Sequence, residues 1–263
     1  MKKQVQLLLV LLALPLLTIA QSKVAASEIM AKINRGEAVN YKNVEITGNL
    51  DMTKLNNMKL KNEKAGKNET KEYISTVTAP LTFENCTFKG NVLGYFNPDN
   101  GINIAKSSNE VYNTNFEKAV RFENCTFEEE AAFKYSKFEE NVSFAGSRFE
   151  EDALFKYSKF EKGADFGKAV FNDEANFKYV TFPVAANFRG ATFKDDADFK
   201  YTKFQKGVDM QQATFEGLAN FKYTKFSGPA NLKNARFKGS TDFKYTRLNN
   251  QSVDLAALQQ KSE

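Results

Sequence analysis

The amino-acid sequence predicts an all-β solenoid, a square coil of stacked turns with a short helix closing each end. Three observations carry this expectation. From Phe116 to Leu248 the large apolar residues recur at alternating intervals of five and six residues. The string Phe-Lys-Tyr that opens at 133 returns at 155, 177, 199, 221 and 243, a period of 22. A small residue stands two positions before many of the large ones, as with Cys125, Ala131, Ser136, Ala153, Ala164, Ala175, Ala186 and Ala197. Residues two apart share one face of an extended strand, so each small–large pair points inward and the polar residues after it turn a corner. Four such sides make up the 22 residues of one coil, and equivalent sides then stack in register. A helix fails the same test, because a five-residue step rotates by about 140° beyond a full turn and divides the Phe residues between opposed faces.

The elements follow in chain order. Lys2 and Lys3 precede Val5 to Ala20, an uncharged stretch of sixteen residues, with the small Thr18 and Ala20 just ahead of Gln21. Residues 1–20 therefore read as a secretory signal peptide, shorter than the roughly 20 apolar residues of a membrane span, with an uncleaved N-terminal anchor as the alternative. Residues 21–43 are expected to hold a cap helix and lead-in, Ser27 capping Glu28 to Arg35 and Gly36 ending it. Residues 44–115 form irregular first coils, beginning at Val44 to Ile46 and Leu50 to Leu55, with loops at 57–71 and 89–110. The second loop is deduced from FENCTF at 83–88 and again at 122–127, an interval of 39 that exceeds one coil by 17. Long loops are either functional or disordered, and both readings stand here. Residues 116–248 are the regular β-helix, and 249–263 a C-terminal cap with a helix over Ser252 to Gln260.

The strings Ala164-Asp165-Phe166, Ala175-Asn176-Phe177, Ala186-Asn187-Phe188, Ala197-Asp198-Phe199 and Ala219-Asn220-Phe221 resemble the pentapeptide-repeat family, whose unit is a small residue, Asn or Asp, Leu or Phe, and two polar residues. The chain departs from the simplest form of that family by a sixth residue on every second side. The resemblance implies a right-handed quadrilateral parallel β-helix with stacked Phe columns. It implies no catalytic residue.

Composition limits function. The 263 residues include no His and no Trp, which removes imidazole-based catalysis and His-rich metal sites. The formal charge of +5 falls to +3 without Lys2 and Lys3, too mild to argue for nucleic acid. Imitation of DNA, as in the acidic members of the family that protect gyrase, is disfavoured by the signal peptide and by a repeat region with nearly equal basic and acidic residues. No cofactor or metal is expected. The acidic corners Glu128 to Glu130, Glu150 to Asp152, Asp173-Glu174 and Asp195-Asp196 read as a solvated face rather than a calcium site.

Two features remain as candidate sites. Cys86 and Cys125 both take the inward small position, and stacked one coil apart, about 4.8 Å, they come within disulfide reach; they are equally ordinary core residues. The Phe-Lys-Tyr units lay out Lys134, Lys156, Lys178, Lys200, Lys222 and Lys244 beside Tyr135, Tyr157, Tyr179, Tyr201, Tyr223 and Tyr245. The fold needs only the inward residues, so this uniformity outside suggests a binding face on which an anionic polysaccharide or membrane surface meets Lys while its rings or headgroups rest on Tyr; another protein is a further partner class. Duplication of one 22-residue unit is the alternative. The function expected is a secreted, periplasmic or envelope-associated non-enzymatic scaffold or binding module. The alternative is a polysaccharide-active parallel β-helix enzyme using the 89–110 loop.

Overall fold

The computed structural model describes residues 21–61, 70–98 and 110–261. Residues 1–20, expected to be a signal peptide, lie outside these residues.

Two-residue strands, each alternating an inward and an outward side chain, form four sheets of nine, eleven, eight and eight strands that run the length of the coil. Neighbouring strands in the regular part are parallel and one coil apart, as Phe116 opposite Phe138, Phe127 opposite Phe149 and Ala153 opposite Ala175 show. The inward residues pack the interior in columns. Successive Phe rings of one column lie face to face, Phe127 and Phe149 at 4.7 Å and 1°, while adjacent columns meet edge to face, Phe177 and Phe188 at 5.2 Å and 90°. Both are favourable arrangements of the ring quadrupole. One column is polar except at Val180: Ser158, Thr202, Thr224 and Thr246 are buried, and each hydroxyl donates to the carbonyl of the Phe 25 residues earlier, which satisfies the donor and ties successive coils together.

The first coils obey the same register. Val39, Ile46 and Leu50 stack on Leu81, Phe88 and Val92, which stack on Val120, Phe127 and Ala131. Of the loops expected at 57–71 and 89–110, residues 62–69 and 99–109 lie outside the described residues, and the described flanks are strands. Lys59–Leu60 is a strand antiparallel to Tyr73-Ile74. Val92–Leu93 is an ordinary side of the coil, with Val92 buried, and Tyr95–Phe96 turns back antiparallel onto Tyr112-Asn113. The inward phase continues from Phe88 through Val92 before the chain departs from the coil. Lys71–Val77 and Glu110–Phe116 are seven-residue parallel partners, longer than the strands of the regular coils.

The N-terminal helix runs over Ala26–Asn34, and Ser27 lies inside it instead of capping it. Strand Ser22–Ala25, paired with Val44–Thr47, feeds directly into the helix, so the strand sets its start and no side chain caps it. Ala26, Ile29 and Ile33 are buried over the first coil, and Gly36 follows the last turn at φ +70°. The C-terminal helix is Leu255–Gln260, shorter than expected, because Asp254 accepts a hydrogen bond from the Ala257 amide and fixes the start there. Gln251–Ser252 instead hairpins onto Arg247–Leu248, and Leu258 is buried against the last coil.

Candidate binding face

Each five-residue step of the coil is built on a tight turn. In Phe133-Lys134-Tyr135-Ser136 the Ser136 amide donates to the Phe133 carbonyl, and Tyr135 has φ +59°. Only the third residue has positive φ, which is the type II turn, and that position favours Gly or Asn. A side chain other than Gly or Asn in the left-handed region costs about 1–2 kcal/mol. Each coil contains two such turns. On the opposite corner the equivalent residues are Asn124, Gly146, Lys168, Gly190, Gln212 and Asn234, all at positive φ. On this corner they are Tyr135, Tyr157, Tyr179, Tyr201, Tyr223 and Tyr245, φ +59° to +62°. One backbone geometry thus occurs twice per coil, varied on one corner and invariably Tyr on the other.

The six rings form a continuous stack on the outside of the solenoid, with centroids 4.7–4.9 Å apart. Tyr95 extends it at the N-terminal end, 5.8 Å from Tyr135 and tilted by 34°. This changes the expected chemistry. The rings cover one another's faces, so the ladder offers edges and hydroxyls along its length, and sugar rings or headgroups cannot rest on the interior faces.

The lysines flank this ladder. Lys134, Lys156, Lys178, Lys200 and Lys222 are half-buried and only Lys244 is exposed. The ammonium groups of Lys156, Lys200 and Lys222 sit 5.2–5.7 Å from the ring centres of the following Tyr, a cation–π arrangement. Lys178 is bonded to Asp198 at 2.7 Å, which raises its pKa; burial, followed by repulsion from Lys178 and Lys134, lowers that of Lys156. The structure therefore places all twelve predicted residues on one face.

Charge is not uniform along that face. Glu130, Asp152 and Glu174 occupy one column beside the lysines, and burial, reinforced by carboxylates one coil away, raises all three pKa values. The column continues with Asp196 and then, in the last coils, holds Leu218 and Ser240. On the other edge of the Tyr ladder, Glu139 and Glu161 give way to Pro183, Gln205, Ser227 and Asn249. Lys137 is paired with Glu139 at 2.9 Å, whereas Lys203, Lys225 and Arg247 form no ion pair among the described residues. The last three coils accordingly set Lys200, Lys222 and Lys244 on one side of the tyrosines and Lys203, Lys225 and Arg247 on the other. Among the described residues no three acidic or thiol side chains converge to hold a metal ion.

Cys86 and Cys125 lie in neighbouring coils, since Thr87 is opposite Thr126; both are buried and free. Each thiol donates to backbone carbonyls, Cys86 to Glu84 and Tyr41 and Cys125 to Phe83 and Glu123, and the interaction between the two neighbouring thiols splits the pair, lowering the pKa of Cys86 and raising that of Cys125.

The family model described as pentapeptide repeats, in nine copies, matches residues 112–159, 155–203 and 199–247. The chain belongs to the pentapeptide-repeat family. No curated protein matches it. Membership accounts for the four-sided coil, the Phe columns and the small inward residues of this pentapeptide-repeat protein. It does not account for Tyr at a turn position that favours Gly or Asn. Sequence reasoning missed the stacking of the tyrosines on one another and the half-burial of the lysines, because only the coil spacing brings residues 22 apart into contact.

Proposed function

We propose that this pentapeptide-repeat protein is an exported, non-enzymatic scaffold whose Lys/Tyr face binds an extended anionic polymer. The observation that carries the reading is the contrast between the two turn corners. The backbone accepts Asn, Gly, Lys or Gln at one, so the unbroken Tyr at the other is not a demand of the fold. A column of tyrosine hydroxyls between two rows of cations matches a chain whose charges repeat along its length, and the C-terminal coils, where the flanking columns carry fewer carboxylates, with Leu218 and Ser240 after Asp196 and with Gln205, Ser227 and Asn249 after Glu161, are its centre of attraction. Export rests on the charged start and apolar run of residues 1–20. Among the described residues no helix is long and apolar enough to cross a membrane.

A non-enzymatic role is supported by the recess next to the 89–110 segment. Hydrolysis of a glycosidic bond uses two carboxyl groups flanking it. Glu72 is the one carboxylate lining that recess among the described residues, and Lys61 holds both its oxygens at 2.8 Å.

Retention of the protein on immobilised polygalacturonate tests the reading. Binding is expected to weaken as salt rises and to be lost when Lys200, Lys222 and Lys244 are all replaced by Gln. Retention of that variant equal to the native chain's would show the lysines to be solvated surface only.

A further inference from the structure

The two ends of the coil are closed differently. At the N-terminal end the helix Ala26–Asn34 lies over the first coil, and the inward residues Val39, Ile46 and Leu50 are fully buried. At the C-terminal end the cover is partial. Helix Leu255–Gln260 packs on Ala230–Asn231, and Gln251–Ser252 adds a strand beyond Arg247–Leu248, so two of the four sheets end under the cap. The other two end in Arg236–Phe237 and Thr241–Asp242, with no strand beyond them among the described residues. Here the inward positions lose their cover. Phe237 and Phe243 are half-buried and Thr241 is exposed, whereas Phe215, Phe221 and Ala219, their counterparts one coil earlier, are fully buried. An open sheet edge is a template for another strand, which is why the last coil of a solenoid ordinarily carries a cap.

The backbone fixes what this edge offers. The amides of Arg236 and Lys238 donate to the carbonyls of Ala213 and Phe215, and the carbonyls of Ser240 and Asp242 accept from Ala219 and Phe221, so these four residues face the preceding coil. Backbone groups alternate in direction along a strand, which turns the amide and carbonyl of Phe237 and of Thr241 toward the open end. The two open strands are consecutive in the chain and are joined by the corner at 238–240, with Gly239 at its centre. A two-fold axis through that corner, perpendicular to the coil axis, lays Arg236–Phe237 of one copy antiparallel to Thr241–Asp242 of the other. Phe237 and Thr241 then exchange both of their backbone hydrogen bonds, and Arg236 stands directly opposite Asp242 on the outer face, with about 4.5 Å between Cα atoms.

The charges fit that register. Opposite charges directly across two strands are stabilising, and neither Arg236 nor Asp242 forms an ion pair within the chain among the described residues. One oxygen of Asp242 accepts from the Lys244 amide at 2.9 Å, which orients the carboxylate. Lys238 falls opposite Ser240 and is already paired with Glu216 at 2.7 Å, so it brings no unanswered charge to the contact. Gly239 meets Gly239 on the axis, where a side chain would hold the two corners apart. The cap helix packs on Ala230–Asn231, in a sheet on the far side of the coil from this corner.

We infer that the open C-terminal edge is a self-association surface, on which a second copy of the chain docks end to end to form a two-fold dimer. The same patch serves both copies, so the contact closes at two. The N-terminal ends, under their helices, offer no second edge of this kind, and the dimer does not extend into a fibre. The surface is separate from the Lys/Tyr face and holds whatever that face binds.

Sedimentation equilibrium on the chain from Gln21 onward should show a dimer that dissociates on dilution. Arg236→Asp and Asp242→Arg each set like charges opposite one another, and each should weaken the dimer at least tenfold. Mixing the two variants should restore it, because each then meets its complement across the axis; recovery in the mixture also shows that both variants are folded. A chain that is monomeric at every concentration would overturn the surface. So would a dimer that survives both reversals, or one that is lost on replacing Lys200, Lys222 and Lys244 by Gln while both reversals leave it intact, since association would then use another face.

Discussion

Replacing Tyr201 by Asn separates what the Tyr ladder does for the fold from what it does for a partner. The ring stacks on Tyr179 and Tyr223, each at 4.7 Å, and carries the Lys200 ammonium 5.4 Å from its centre. Two aromatic contacts at about 0.5–1.5 kcal/mol each and a cation–π contact of about 0.5–1 kcal/mol are lost. Against this, Tyr201 sits at φ +62°, and Asn relieves most of a left-handed penalty of about 1–2 kcal/mol. The net loss should be about 1 kcal/mol and no more than about 3 kcal/mol, below the ~3–5 kcal/mol expected for a buried Phe truncated to Ala. Urea unfolding followed by circular dichroism measures it. Retention on polygalacturonate, measured in parallel, should fall about fivefold, the worth of one hydrogen bond of about 1 kcal/mol. If Tyr201→Asn destabilises as much as a core Phe truncation, the ladder is part of the scaffold and the corner contrast loses its functional meaning. Unchanged retention would do the same damage to the binding argument.

Phe177 is stacked between Phe155 and Phe199, both at 5.0 Å, whereas half-buried Phe243 has Phe221 on one face only, at 4.8 Å. Phe177→Ala should therefore cost about 3–5 kcal/mol and Phe243→Ala clearly less, read from denaturation midpoints; equal small losses would count against the solenoid. The raised carboxyl pKa values of Glu130, Asp152 and Glu174 mean that the folded state binds their protons more tightly than the unfolded chain. Their contribution to stability thus improves as pH falls from neutral through the raised values, so Glu130→Gln, Asp152→Asn and Glu174→Gln together should raise the thermal midpoint at pH 7 and lose that advantage below the ordinary carboxylate range. Cys86 and Cys125 are free and buried in neighbouring coils: alkylation after denaturation without reductant should modify both, and protection of both would show that they pair. The same mass spectrum should place the N-terminus at Gln21, and an intact Met1 would favour the anchor.

The sequence alone determined the coil. Phe at alternating intervals of five and six with a small residue two before it leaves one way to bury every ring, and the 22-residue period sets the register, so Phe116 meets Phe138 and Ala153 meets Ala175. That much is legible because each inward residue is specified by its own neighbours in the chain. The outward Lys and Tyr rows were also visible as repeats. Their state was not. Only stacking brings Tyr135 onto Tyr157 and closes the ring faces, and only the turn geometry shows that Tyr stands where Asn or Gly would be easier. The caps and the recess beside the 89–110 segment likewise belong to the tertiary structure. The start of the N-terminal helix is set by Ser22–Ala25 pairing with Val44–Thr47, and the recess by Tyr95–Phe96 turning back on a strand overshooting its corner. Contacts between residues one coil or more apart, without a periodic signal to announce them, are decided by the packing of the whole.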